Sequence, residues 1–135
     1  MNIVKLAQDI AHEAHLGQTR RNGYTPYITH PATVARRCHG EEAQVVAWLH
    51  DVLEDCEDWS AEKLVKRGIP QHLVDEVVVL TQGYTEKYPD FIYRIKSHGG
   101  LALYVKVEDI LSNLSDSPTK YQIKKYAAAL LVLIK

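Results

Sequence analysis

Cysteine is scarce: Cys38 and Cys56 are the only two in 135 residues, with no CxxC pairing and no metal-binding Cys/His spacing around them. A disulfide framework and a thiolate zinc site are therefore not expected, and both thiols read as reduced. No charge of one sign prevails either, since 16 Lys and Arg against 17 Asp and Glu leave a net charge of −1. Without a global field, nucleic acid and anionic membrane surfaces are not expected partners, and Arg20-Arg21, Arg36-Arg37 and Lys124-Lys125 are short pairs rather than a stripe. No apolar run is long enough to span a bilayer, and the opening MNIVKLAQDI lacks the pattern of a signal peptide, so a cytoplasmic protein is expected. GxxxxGK, GxGxxG and GxSxG are all absent, which removes support for an NTPase, a dinucleotide oxidoreductase and a serine hydrolase elbow.

What is present is helical periodicity. The length fits a single domain over 1–135, and 46% apolar residues supply its core. No stretch alternates as a strand would, so the fold class is all-α, a compact multi-helix bundle. A first helix starts after Asn2 as N-cap and ends near Gly17; Pro31 fits the first position of a second, closing at Gly40. A third runs without interruption from Glu41 through AQVVAWLHDVLED. Ser60 caps a fourth and Pro70 opens a fifth, whose VVVL run is read as helix because acids fill its first turns. A short helix over Pro89–Lys96, a helix over LALYVKVEDILSNL and a last one from Ser117-Pro118 complete the chain. The apolar tail LLVLIK has either its own core or a second subunit to pack on, which raises a homodimer.

The third helix carries His50, Asp51, Glu54 and Asp55 within a segment apolar enough to be buried. Four-residue spacing pairs His50 with Glu54 and Asp51 with Asp55 in adjacent columns. Three carboxylates so close would repel, and burying each costs several kcal/mol unless a cation compensates. A divalent metal is the economical answer. A His-Asp dipeptide alone carries little weight, because shuffling this composition produces about 0.4 of them.

Four blocks in order add company to that pair: AHEAHLGQTRRNGYTPYITHP at 11–31, VVAWLHDVLED at 45–55, VVVLTQGYTEKYPDFIYRI at 77–95 and YVKVEDILSNL at 104–114. In these blocks the chain resembles the metal-dependent HD phosphohydrolases, and within them the small alarmone hydrolases related to the hydrolase domain of the Rel/Spo proteins. The resemblance implies an HD-domain bundle with His30, His50, Asp51 and Asp109 as metal ligands, a mixed N/O set suited to Mn²⁺, with Fe²⁺, Co²⁺ or Zn²⁺ as alternatives. It implies that Glu54 and Asp55 orient and deprotonate the attacking water. It places Arg20 against the guanine and Arg21 near the phosphates, with Lys106 to neutralise phosphate charge and Asn113 to bond the nucleotide. Tyr27 reads as a packing residue. The implied reaction is metal-dependent release of the 3′-pyrophosphate from guanosine tetra- or pentaphosphate (ppGpp or pppGpp), a guanine nucleotide substrate.

The chain departs from the family in the loosely matching segment around Tyr93 and Arg94 and, more sharply, after the last metal-binding Asp. Where relatives run Asn-x-Arg after the last metal-binding Asp, this chain has Asn113-Leu114-Ser115-Asp116, without the arginine. That leaves hydrolysis of another nucleotide or dinucleotide as the rival reading, and a non-catalytic nucleotide- or protein-binding HD module as a third.

Overall fold

The computed structural model describes residues 2–135 and contains nine helices among them: α1 (Ile3–Ala14), α2 (Thr29–Arg37), α3 (Glu41–Leu49), α4 (Val52–Asp55), α5 (Ala61–Lys66), α6 (Gln71–Val79), α7 (Tyr88–His98), α8 (Gly100–Leu114) and α9 (Lys120–Leu133). No strand forms among these residues, as the periodicity implies. The core is built around α3, whose Ala43, Val45, Val46, Ala47, Trp48 and Leu49 are all buried. Helices α1, α2, α6 and α8 pack against it, while α9 lies on α7 and α8. An element apolar on every side belongs in the middle of a bundle, and this one delivers His50 and Asp51 from its C-terminal end.

Local signals set most of the boundaries. The Asn2 side chain accepts from the Lys5 amide at 3.0 Å, Ser60 does the same for Lys63 at 3.1 Å, and Thr119 and Gln122 form a reciprocal capping box at the start of α9. The valine-rich run of α6 is helical, with Val74 and Val77 in the core.

Three boundaries differ from the sequence reading. The last helix begins at Lys120 rather than at Ser117-Pro118, because Ser117 has φ of +47° and Thr119 supplies the cap. The second begins at Thr29, not Pro31: the Thr29 and His30 amides close a turn onto Pro26 and Tyr27 at 3.2 and 3.0 Å. Pro31 still fits, since amides of a first helical turn have no partner within the helix. His30 accordingly lies inside the first turn of α2. The expected continuous third helix is divided at His50 and Asp51, and Asp51 has φ −104° and ψ −2°. The cause is the His50 side chain, whose Nδ1–H donates to the Ala47 carbonyl at 2.6 Å and so competes for the acceptor a continuing helix would give to residue 51.

The 18–27 loop is closely held. Thr19 and Pro26 form an isolated β-bridge, the Arg20 amide donates to Thr25 O at 2.7 Å and the Tyr27 amide to Gln18 O at 2.8 Å. At its tip Asn22 Oδ1 accepts from the Tyr24 and Thr25 amides at 3.0 and 2.9 Å, an Asx turn. Arg20 and Tyr27 thus enter the site from a rigid support.

Candidate metal centre and its cavity

Two helices and one helix junction bring the chemistry together. His30 comes from α2, His50 and Asp51 from the break between α3 and α4, and Asp109 from the middle of α8. His30, His50 and Asp51 offer ligand atoms that all lie within 4.8 Å of one another. Asp109 falls outside that set but borders it: its Oδ1 is 2.7 Å from His30 Nε2 and 3.4 Å from His50 Nε2. Asp51 Oδ2 stands 3.1 Å from His50 Nε2 and 3.9 Å from His30 Nε2. All four residues that the resemblance implies as ligands therefore converge, from segments as far apart in sequence as His30 and Asp109.

The residues suit a divalent ion. His50 Nδ1 is committed to the Ala47 carbonyl, which leaves Nε2 as the coordinating atom. That Nε2 is buried and has no hydrogen-bond partner, since neither neighbouring carboxylate oxygen lies along its bonding direction. Burial works against charge on His50, yet the carboxylates of Asp51 and Asp109 outweigh it and raise its pKa well above the ordinary imidazole value. The same cluster holds Asp51 and Asp109 below the usual carboxylate range despite burial, through His50 for Asp51 and chiefly through Lys106 for Asp109. The site favours positive charge at the point where the two imidazoles and two carboxylates meet. Such a mixed N/O set fits a transition-series divalent ion better than Ca²⁺.

Several neighbours orient the set. Tyr27 Oη donates to Asp51 Oδ2 at 2.6 Å, Lys106 Nζ to Asp109 Oδ2 at 2.9 Å and Asn113 Nδ2 to Asp109 Oδ1 at 3.3 Å. Burial opposes the Lys106 charge, but Asp109 more than offsets it and keeps the ammonium protonated. Tyr27, expected only to pack, is thus a partner of a ligand carboxylate. Its position three residues before His30 was the available signal, but spacing alone does not show which way a loop tyrosine turns.

A cavity of about 260 Å³ opens over the cluster, and Glu54, Asp55, Tyr88, Lys125 and Tyr126 share its walls with the residues above. Glu54 and Asp55 line it and remain exposed to solvent. Glu54 Oε1 accepts from the Gln82 amide at 2.8 Å, so the loop after α6 holds it in place. Partial burial raises both carboxyls, and for Asp55 the added charges of Asp51 and Glu54 push it up to about 6. An acid tuned upward beside a metal-type cluster is fitted to take a proton near neutral pH.

Arg20, Arg21 and Asn113 line a second, larger pocket of about 640 Å³ that shares Tyr27 and Asn113 with the first. Arg20 Nη2 donates to Asp116 Oδ2 at 3.1 Å and to Asn113 Oδ1 at 3.4 Å, and its guanidinium lies 5.6 Å from the Tyr27 ring centroid. Arg21 reaches only this second pocket and not the ligand cluster. Ser115, at the missing-arginine position, turns back on α8, its Oγ–H donating to Ser112 O at 2.7 Å. Tyr88 and Lys125 had no motif to mark them; they enter the cavity because α7 and α9 pack beside α8.

No protein-family model matches the chain. Over 82 residues, 57% of the chain, it is 39% identical to a guanosine-3′,5′-bis(diphosphate) 3′-pyrophosphohydrolase of Vibrio cholerae, and over 50 residues, 34% of the chain, 52% identical to the enzyme of that name from Haemophilus influenzae. These matches span 10% and 7% of the two relatives' lengths. In structure, 99% of the chain superposes, with a TM-score of 0.78 and 23% identity, on 83% of a solved chain described as a metazoan ortholog of SpoT that hydrolyzes ppGpp and plays a role in starvation responses. The chain therefore has the all-α HD-domain hydrolase fold of that metazoan protein, with sequence similarity to part of two bacterial pyrophosphohydrolases.

Proposed function

We propose that the chain is an alarmone hydrolase: a metal-dependent enzyme that releases the 3′-pyrophosphate of guanosine tetra- or pentaphosphate, with Mn²⁺ as its ion. The observation that carries this reading is the buried, partnerless Nε2 of His50 amid His30, Asp51 and Asp109, under a cavity rimmed by Glu54 and Asp55. The similarity to two enzymes named for this reaction supports the substrate.

In this reading His30, His50, Asp51 and Asp109 hold the ion. When bound, such an ion places positive charge against phosphate oxygens and makes water a stronger acid. Asp55, raised to about 6 and so ionised at neutral pH, takes the proton of the attacking water, and Glu54 orients that water from the Gln82 amide. Lys106 sets positive charge beside Asp109 at the cavity wall. Arg20 lies over Tyr27 with a planar face available to a base, Asn113 lines the same pocket to bond the nucleotide, and Arg21, in that pocket too, faces the phosphates carried on the nucleoside. A binding-only module has no physical reason to retain buried carboxylates whose cost a cation offsets.

The test is pyrophosphate release from ppGpp beside a panel of other nucleotides, with Mn²⁺ and with chelator. Metal-dependent release selective for the alarmone is expected. Turnover of a different nucleotide alone would keep the metal chemistry and refute the substrate, with the pocket around Ser115 and Asp116 as the place to look.

A further inference from the structure

The cavity over the ligand cluster has two distinguishable ends. At one end Tyr27 and Asn113 also line the polar pocket of Arg20; at the other, Tyr88 and Lys125 also line an apolar groove between α7 and α9. A nucleoside seated against Arg20 leaves the second end to whatever projects past the ligand cluster.

That second end presents donors without acceptors. The Tyr88 hydroxyl is buried and makes no hydrogen bond, an arrangement that folded proteins seldom tolerate without a role. Lys125 Nζ lies 4.1 Å and Lys106 Nζ 5.9 Å from the centroid of the Tyr88 ring. Lys106 is paired with Asp109, but among the described residues Lys125 pairs with no carboxylate. Burial, and then the neighbouring Lys106 charge, push the Lys125 ammonium below its ordinary pKa against the opposing pull of Glu54 and Asp109. A hydroxyl and two ammonium groups around one small space call for an anion rich in acceptors.

We propose that Tyr88 and Lys125, with Lys106 between them and the ligand cluster, form the subsite for the terminal phosphoryl group of the 3′-diphosphate, and hence for the departing pyrophosphate. The inference rests on the hydrolase reading above for the identity of the anion. In the reaction, water adds to the phosphorus carried by the ribose O3′, the P–O3′ bond breaks with its electron pair left on O3′, and O3′ takes up a proton. The diphosphate carries the oxygen of the water away, so its outer phosphoryl has to be held apart from Asp51, Glu54 and Asp55. Tyr88 and Lys125 supply the donors that hold it.

The experiment is calorimetric titration of the Mn²⁺-loaded protein with inorganic pyrophosphate and, separately, with GDP, for the wild type, Tyr88→Phe and Lys125→Met. Both substitutions keep the apolar body of the side chain, and unchanged Mn²⁺ affinity and melting temperature show that the fold and the ligand cluster are intact. Pyrophosphate affinity is expected to fall about tenfold or more in Lys125→Met and about fivefold in Tyr88→Phe, with GDP affinity within about twofold of the wild type. Full pyrophosphate affinity in both variants, or an equal loss for GDP, overturns the subsite. Selective loss in a protein whose wild type leaves ppGpp intact upholds the anion subsite and refutes the nucleotide reading instead, so the two failures are separable.

Discussion

Each ligand carboxylate at the centre is held by a neighbour, and these neighbours make sharp predictions. Tyr27→Phe removes the 2.6 Å hydrogen bond to Asp51 while leaving the ring against Arg20. Partners of metal ligands typically contribute about 10 to 100-fold to affinity, so Mn²⁺ binding measured by calorimetry should weaken by about that factor. Asp55 makes a second prediction. Its carboxyl titrates near 6, raised by burial and by the charges of Asp51 and Glu54, and only the ionised form accepts a proton. The rate should therefore hold above that pH and fall as the pH drops below about 6, and Asp55→Asn should lose both most of the activity and this acid limb. A pH–rate profile of the two proteins checks both. At this scale the sequence was most legible where a residue type had few other uses: His50 and Asp51 inside an apolar helix could hardly be a solvated face. It was least legible for Tyr27, Tyr88 and Lys125, because a tyrosine or lysine fits a core edge or a surface equally well and only the packing of α7, α8 and α9 decides.

Among the elements, the connection between α6 and α7 does more than join them. Glu86 accepts from Arg94 Nε and Nη2 at 2.8 and 2.9 Å and from the Gly83 amide at 3.0 Å, while Arg94 also donates to the Val79 and Thr81 carbonyls. This knot holds the loop from which the Gln82 amide reaches Glu54. The hydrogen bonds from Arg94 hold the Glu86 carboxyl down at about 2 against a usual 4.5. A carboxyl depressed on folding contributes stability that is complete above the unfolded value, so this contribution is present above about 4.5 and is lost as the pH falls toward about 2. Because both side chains keep contact with water, Glu86→Gln should cost only about 1 to 2 kcal/mol at neutral pH, and that difference from the wild type should shrink below pH 4 in urea unfolding. Caps and glycines made most helix boundaries readable in the sequence. The exceptions share a cause: at Thr29, His50 and Thr119 a side-chain or turn hydrogen bond outweighs the proline or the apolar period that the linear pattern emphasises.

The whole molecule is a bundle assembled around α3, and the cluster at its end couples metal binding to folding. Leu49 is fully buried one residue before the ligand pair. Leu49→Ala should cost about 3 kcal/mol in chemical unfolding and loosen Mn²⁺ binding as well, since Leu49 anchors in the core the helix end that carries His50. Because the ion binds only the folded arrangement, saturating Mn²⁺ at about 100 times its Kd should add about 2.7 kcal/mol of stability, removed by chelator. The tail LLVLIK that raised the question of a second subunit is divided: Leu133 is buried in the chain's own core, whereas Leu131 and Ile134 remain exposed. Among the described residues no helix is long and apolar enough to cross a membrane.

The most direct test of a metal-dependent alarmone hydrolase is pyrophosphate release from ppGpp by the purified protein, in Mn²⁺ and in chelator, with Asp51→Ala alongside. Rapid release with Mn²⁺, none with chelator, and simultaneous loss of Mn²⁺ binding and turnover in Asp51→Ala are predicted. Release that survives chelation, or an Asp51→Ala protein that still turns over ppGpp, would contradict it.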